Sequence, residues 1–587
     1  MVVMAACAGL LGLATAFLPV DLPEDEDDNY VQETVAMLAA SPLDLNRVTA
    51  EELLAIPWLD PALAYRIVAH RDSVGGFRSL ADLRLVPGMT SDWFRLIEPY
   101  VRAGHSPVGR RPAASRLDAF GRVTLRVDTF PPAAGRAAGS AVVAVRQGPW
   151  RVALAVENDP GEPVLPDWLG GSVALDAGVT QFCAGDFTFG SGLGLVFSGP
   201  HRRHAERAGA TPRGPSFIRP VRAPLETRAL RGLAAEHTVG RWSLAGYGSW
   251  ARRSAALGDD GEVRRIRYDG RHDDSLTLAG RRAVDEKSAG ARVGFNWGES
   301  RFGFNLGWLG YDPGIAPTDS LRSFCGPTLA FGGVGFDRLG HPYRLAAEVA
   351  GSSGGGTAGA AVVEGDWSSF RLALGADARQ ARFFAPLGRW QSTTARKDRV
   401  SARARARWTP GPLVVIASAS SYGDYLVDSL PGRVGGELRT PLGPVRLVMG
   451  IERRYRLDEP RFRRAHAALQ WRPDGPLGIT LEYDDGYPEN TIAHGRTVAL
   501  RAEAGVGSFR FRAVAARFDI AGNARMYLSD PVVYGPGRSY STAQSGWRFS
   551  GAAGWRLPFG RVGLNAGYAF GEKPGWNAAL RMEAGRP

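Results

Sequence analysis

Lysine, cysteine and long apolar runs are all scarce in this chain. Beyond residue 20 no apolar stretch approaches the roughly 18 residues that a membrane-crossing helix needs, which excludes a helical membrane protein. The chain has 3 cysteines, Cys7, Cys183 and Cys325, too few for a disulfide framework, and Cys183 and Cys325 read better as small apolar fillers than as a bridge. Lysine stands only at 287, 397 and 573, so the net charge of +12 rests almost wholly on dispersed arginine. A dispersed surplus is not a nucleic-acid-binding tail.

What is abundant is glycine, at 75 of 587 residues, together with 26 Phe, 16 Tyr and 15 Trp. The first 20 residues, MVVMAACAGLLGLATAFLPV, are apolar with the small-x-small triplet Ala14-Thr15-Ala16, and an acidic run from Asp21 to Asp28 follows. That order predicts an export signal over 1–16, then an acidic linker with a short helix over 17–42. Export makes the envelope of a Gram-negative cell the expected location.

Residues 43–103 carry helical apolar spacing twice over, with Leu53, Leu54, Ile56, Leu63 and Ile67 in one half and Leu80, Leu83, Phe94, Ile97 and Val101 in the other. Thr49 and Glu52 form a capping-box pattern before the first helix. Pro57 and Pro61 mark one tight turn and Pro87-Gly88 another, which predicts two helical hairpins. The elements Leu43-Asp44-Leu45-Asn46, Thr49-Ala50-Glu51-Glu52-Leu53, Arg71…Gly76-Phe77 and Leu80…Asp82-Leu83…Val86-Pro87-Gly88 resemble the ComEA-like DNA-receptor domain, a tandem helix-hairpin-helix unit. That resemblance implies two hairpins, Leu59-Asp60 with Ala62 and Gly88-Met89-Thr90, whose backbone N–H groups approach DNA phosphate.

The chain departs from that pattern at the chemistry. The first hairpin reads Pro57-Trp58-Leu59-Asp60, with bulk or acid where the family has glycine, and residues 43–102 carry eight acidic side chains against seven basic ones. Duplex binding by counterion release needs a positive surplus, so a structural or protein-docking role is expected ahead of DNA binding.

After a linker over 104–115 the period changes to two. In Arg122-Val123-Thr124-Leu125-Arg126-Val127, and most clearly in Arg403-Ala404-Arg405-Ala406-Arg407, charge occupies one face of a strand and apolar side chains the other. The expected architecture for 116–587 is mainly β: a large antiparallel transmembrane barrel of about 22–28 strands, in which closure removes edges and the lumen accepts the polar face. Trp150, Trp242, Trp250, Trp297, Trp308, Trp408, Trp471, Trp547 and Trp555 suit interfacial girdles. Stretches 199–224, 254–262, 311–322, 386–396 and 530–546 read as long loops or lumen plugs.

The whole chain is similar to an uncharacterised family of outer-membrane proteins that join a helix-hairpin-helix domain to a large barrel. The similarity rests on Ile56-Pro57-Trp58-Leu59, Ala184-Gly185-Asp186-Phe187…Phe189-Gly190-Ser191-Gly192-Leu193, Glu286, Glu348 and Arg525-Met526-Tyr527-Leu528. It implies architecture and location, not an activity.

Residues with chemical potential yield little. Gly190-Ser191-Gly192-Leu193-Gly194 lacks the Lys-Ser/Thr of a phosphate loop and reads as a turn or close strand contact. His201-Arg202-Arg203-His204 offers two imidazoles without further ligands, and Glu482, Asp484, Asp485 and Glu489 form a weak calcium motif. No serine elbow with a partner histidine is evident, so neither an enzyme nor a cofactor is expected. Arg122, Arg126, Arg403, Arg405 and Arg407 are the expected lumen arginines, either paired with acids such as Asp128, Glu157, Glu348, Glu437, Glu452 or Glu503 on neighbouring strands or free to attract anions.

Three functions remain. The first is a channel, transporter or envelope-assembly barrel, with outer-membrane lipid and envelope proteins as partners and the helical domain as periplasmic adaptor or plug. The second is a DNA-uptake device. The third is a structural barrel with a blocked lumen.

Overall fold

A computed structural model describes residues within 43–103 and 117–585. Its gaps fall at scattered positions of the helical region and in connections, the longest being 199–216, 389–398 and 424–431. The expected signal, acidic linker and 104–115 linker lie outside the described residues, as do Thr49, Glu52 and His201–His204.

From Leu117 the alternation becomes a closed ring of 24 antiparallel strands. Closure joins the first strand, Leu117–Asp128, to the last, Gly575–Gly585, from Phe120 opposite Gly585 to Asp128 opposite Asn577. Two-residue turns at Gly148-Pro149, Gly240-Arg241, Gly298-Glu299, Gly443-Pro444 and Gly507-Ser508 place glycine first, at φ between +56° and +64°. Positive φ at that position matches the right-handed strand twist, which is why glycine recurs there. All five turns lie at one end of the barrel. Leu117 pairs with Gln147 beside the first of them and Gly585 pairs with Phe120, so the barrel begins and closes at the short-turn end. The long connections gather at the other end.

The two faces of the wall differ in chemistry. Val123, Leu154, Leu244, Phe304, Leu306, Val349 and Leu500 all lie on the outward face and are exposed. The nine tryptophans expected as girdles are exposed too, with Trp150, Trp242, Trp297, Trp408, Trp471 and Trp555 toward the short-turn end and Trp250, Trp308 and Trp547 toward the other. An apolar outer band between aromatic rims suits hydrocarbon, not water. Leu306, 53% exposed in mid-strand, tests this: Leu306→Arg is expected to cost about 2–4 kcal/mol in urea refolding equilibria with lipid vesicles. A water-facing site would shift by less than about 0.5 kcal/mol.

The loop expectations need adjustment. The wall strand Ser300–Ile315 runs into the region read as loop 311–322, because Tyr311 and Ile315 are buried. Within 254–262 the chain starts a hairpin, Ala255–Leu257 with Val263–Ile266, and within 530–546 a strand, Arg538–Thr542, pairs with Met526–Asp530.

The helical region has its own core of Leu45, Leu53, Ile56, Leu63, Ile67, Phe77 and neighbours. Its described elements are the helix Pro61–Val74, 3-10 turns at Leu80–Leu85 and Glu98–Tyr100, and a parallel pairing of Leu43–Asp44 with Val101–Arg102.

Candidate functional site: the lumen and its inward segments

The resemblance to the DNA-receptor domain rests on residues that hold this region together. Asn46 accepts the Phe77 N–H at 2.7 Å and donates to the Phe77 carbonyl at 2.9 Å, while Arg71 donates to the carbonyls of Val48 (2.5 Å) and Leu45 (3.4 Å). Gly76, at φ +120°, passes Asn46 at a distance where an added Cβ would sit 3.2 Å from its side-chain oxygen. Of the expected phosphate-approaching residues, Leu59 is buried in the core and Met89 packs against it. Ala62 lies in the helix Pro61–Val74 without a described side chain, and Asp60, Gly88 and Thr90 lie outside the described residues. Burial raises the Tyr100 hydroxyl pKa, and Arg561, Arg512 and Arg581 of the barrel lie near enough to pull it the other way. All three arginines belong to the short-turn end.

The Gly-Asp-Phe segment is where the wall sends chain inward. Gly185, at φ +91°, packs so closely on Gly171 that a Cβ would fall 2.2 Å from its carbonyl oxygen. Beside it the buried Asp186 takes two hydrogen bonds from Arg231 (2.7 and 3.0 Å) and one from the Gly171 N–H (2.8 Å). Past Gly185 the in-out alternation ends, and Phe187, Phe189, Leu193, Leu195, Val196 and Phe197 are all buried. Phe197 stacks edge-on to Phe189 at 5.0 Å and sits over two wall glycines, Gly290 and Gly307, where a Cβ would meet its ring at 2.8 and 3.0 Å. The wall also holds this segment by polar groups. Ser191 donates to Asn305 (2.7 Å), the Leu195 N–H to Glu348 (3.3 Å), and the Phe217 N–H to Glu236 (2.8 Å). Gly190–Gly194 is thus a close contact with the wall, not a phosphate cradle. The later segment 380–388 completes the plug, with Phe383 and Leu387 in the same core and the Ser198 N–H bonded to the Leu387 carbonyl at 2.8 Å.

A buried network that the sequence does not reveal ties two connections together at the long-loop end, the one between Trp242–Arg253 and Val284–Trp297 and the one before Trp168–Ala177. Ser254 Oγ meets His272 Nε2 at 2.8 Å, and His272 Nδ1 meets Asp167 Oδ2 at 3.3 Å. Asp167 also pairs with Arg281. The order hydroxyl, imidazole, carboxylate is that of a hydrolase triad. Here, however, the three residues are 8%, 1% and 3% exposed and the Arg282 N–H covers Oγ at 3.3 Å, so the arrangement pins loops. Burial alone raises the Asp167 pKa, but the His272 hydrogen bond and the guanidiniums of Arg281 and Arg282 outweigh it and leave it lowered. A lowered folded pKa makes the ionised pairing stabilising above the ordinary carboxylate range and lost as pH falls through the folded value. His272→Ala is expected to cost about 1–3 kcal/mol and to speed trypsin cleavage at Arg281 and Arg282.

Of the expected lumen arginines, Arg403, Arg405 and Arg407 share the inward face of Arg399–Trp408. Their opposite numbers are Gly375, Ala373 and Arg371 on one side and Ser420, Ser418 and Ile416 on the other, so no acid stands directly across from them. On the neighbouring strand the buried Asp377 stands one inward position along from Gly375, opposite Ser401, and accepts the Ser401 hydroxyl at 2.6 Å. Nearby, Glu437 pairs with Arg439 and Glu452 with Arg454, each two positions along its own strand. Arg122 is inward and buried between Val142 and Glu583; Arg126 has its strand position described but not its side chain.

The weak calcium motif does not assemble. Asp484 faces inward to Arg464 and His466, Asp485 faces the other way toward Arg496, Glu482 pairs with Arg501, and Glu489 lies outside the described residues. Cys183 is buried, Cys325 is exposed, and both are free.

Residues 39–102 match the sequence profile of the helix-hairpin-helix motif. A zebrafish (Danio rerio) protein named endonuclease/exonuclease/phosphatase family domain-containing protein 1 is 31% identical over 97 residues, 15% of this chain and 17% of that protein. The chain thus spans about a sixth of that relative's length. Among solved structures, the P pilus usher PapC translocation pore aligns with 80% of this chain and 99% of its own at 10% identity and a TM-score of 0.37. The siderophore receptor PirA from Pseudomonas aeruginosa aligns with 83% of this chain and 82% of its own at 9% identity and a TM-score of 0.36. Likeness at that level carries no functional weight. The chain combines a helix-hairpin-helix segment with a closed barrel of the outer-membrane type.

Proposed function

We propose that this protein is an outer-membrane transport barrel whose helical domain, residues 43–103, serves as a periplasmic adaptor or plug. The observation that carries the reading is the division of the closed wall into an apolar outer face and a charged inner one. Short turns are the periplasmic side of such barrels, and the strand that follows the helical domain starts there. The nearness of Tyr100 to Arg512, Arg561 and Arg581 supports a domain held at that rim. Lipid is then the partner of the wall, and an envelope protein the partner of the helical domain.

The test is planar-bilayer recording of the refolded full chain beside a chain lacking residues 43–103. Steady single-channel steps, larger in the shortened chain, are expected. Silence from both would transfer the protein to the class of structural barrels with a blocked lumen. For DNA uptake, the full chain in detergent is titrated with duplex DNA at low and moderate salt. No salt-dependent binding is expected, since the buried Leu59 turns no side chain outward and the domain lacks a positive surplus.

A further inference from the structure

We propose that one arc of the barrel's outer surface, on the five consecutive strands from Val445–Tyr455 to Phe509–Ala521, binds the headgroup of a phosphorylated glycolipid in the outer leaflet. This rests on the reading of the chain as an outer-membrane barrel with its short turns in the periplasm. On the lipid-facing side of these strands every Arg, Lys, Asp or Glu falls within the last five residues at the long-connection end. They are Arg453, Arg463, Arg496 and Arg517, all exposed, with Asp485 and Asp519. At the short-turn end the same faces carry Val445, Trp471, Leu477, Val506 and Phe509 and no charge. A symmetric apolar band does not call for that asymmetry; two leaflets with different headgroups do.

The arc is basic whichever of its members pair. Arg496 lies 3.4 Å from Asp485 and His494 lies 3.8 Å from Asp519, yet four arginines stand against two aspartates. The chain between the strands, 456–461, 489–493 and 522–545, leaves that surplus intact, since it holds four arginines and four acidic residues. Elsewhere on the same rim the signs balance, with Arg252 and Lys287 beside Asp285 and Asp312. An arginine near the interface costs a barrel little, and its planar fork matches phosphate oxygens. Arg463 and Arg517 are separated by three strand spacings, about 14 Å, which suits a headgroup with two phosphates set apart better than one phosphodiester. An independent feature fits the lipid's chains. Arg517 lies over the Trp547 ring at 5.6 Å. About 13 Å further down its strand, Ala502, Ala513, Gly551 and Ala566 stand side by side in register. They floor an apolar furrow of about 370 Å³ edged by the exposed Phe511 and Leu564. That depth lies within the roughly 15 Å that the chains of one leaflet cover. Anion sites above an apolar furrow follow the order of groups in a lipid, whereas a soluble phosphate compound would use only the first.

The experiment uses the full chain folded in detergent, diphosphoryl lipid A as probe, and native mass spectrometry of the bound fraction as readout. Diphosphoryl lipid A is expected to bind about tenfold more tightly than its dephosphorylated form or phosphatidylglycerol. Arg496→Ser/Arg517→Ser is expected to weaken that binding by about tenfold or more. Arg517→Gln alone is expected to weaken it by about threefold, and serves if the double variant does not acquire the heat-modifiable gel migration of a folded barrel. Arg252→Ser/Lys287→Ser, on the balanced part of the rim, is expected to leave it unchanged. Equal affinity for the phosphorylated and dephosphorylated lipids, or an equal loss from Arg252→Ser/Lys287→Ser, overturns the proposal. Displacement of the lipid by an equal concentration of inorganic tripolyphosphate would assign the arc to soluble anions and overturn it as well. Refolding into phosphatidylcholine vesicles tests the underlying reading separately. A chain that does not insert overturns the barrel reading itself, whereas an inserted chain indifferent to lipid phosphate overturns only the lipid site.

Discussion

Phe197→Ala is expected to loosen the inward segment by about 3–5 kcal/mol, the cost of emptying a packed aromatic site that cannot collapse. The ring is fully buried, touches Phe189, Tyr247 and Phe331, and rests on the backbone of Gly290 and Gly307, which have no side chain to move into the hole. Amide hydrogen exchange checks it directly. The N–H groups of Ser191, Leu195 and Ser198, all hydrogen-bonded in the native plug, should exchange about a hundredfold faster or more, while amides of wall strands keep their rates. Equal acceleration throughout the wall would mean that the segment is part of one cooperative unit with the barrel. No acceleration at all would mean that Phe197 contributes nothing to holding it. A larger or noisier bilayer current should accompany the change if the segment narrows the lumen.

Glu286→Ala is expected to be comparably costly, at about 3–5 kcal/mol in urea unfolding, because it takes the carboxylate from a buried guanidinium. Arg253 Nε and Nη2 both reach Glu286, at 2.9 and 2.8 Å, and Nη2 also donates to the Ala229 carbonyl at 2.8 Å. The side chains are 6% and 2% exposed. Removing both charges together, as Arg253→Met/Glu286→Leu, should recover most of the loss, since the desolvation of two ions disappears with their attraction. A double variant as unstable as the single one would show that shape, not charge compensation, governs the site.

The wall was largely legible in the sequence and the plug was not, for a physical reason. A wall strand has lipid on one side and polar lumen on the other, so Arg403-Ala404-Arg405-Ala406-Arg407 records both environments in its period of two. Leu193-Gly194-Leu195-Val196-Phe197 meets protein on every side and has no period to read. Only the glycines and Asp186 upstream of it hinted at a special backbone. Glu348 and Glu286 stood out as members of a resemblance, and their roles as an acceptor for the plug and a partner for Arg253 required the fold. Ser254 and His272 stand 18 positions apart in one connection and Asp167 stands 105 positions before His272 in another, so no local pattern could join them. In the helical domain the recognised motif was real, but Asn46, Arg71 and Gly76 mark how it folds, not what it touches.

The seam between Leu117–Asp128 and Gly575–Gly585 sets an order of events in biogenesis. The opening strand keeps an unsatisfied row of amides and carbonyls until the final one has been made and pairs with it. Such a dangling ribbon invites pairing with other polypeptides. Closure of the ring therefore cannot finish before its last strand is in place, a consequence of the position of that single junction.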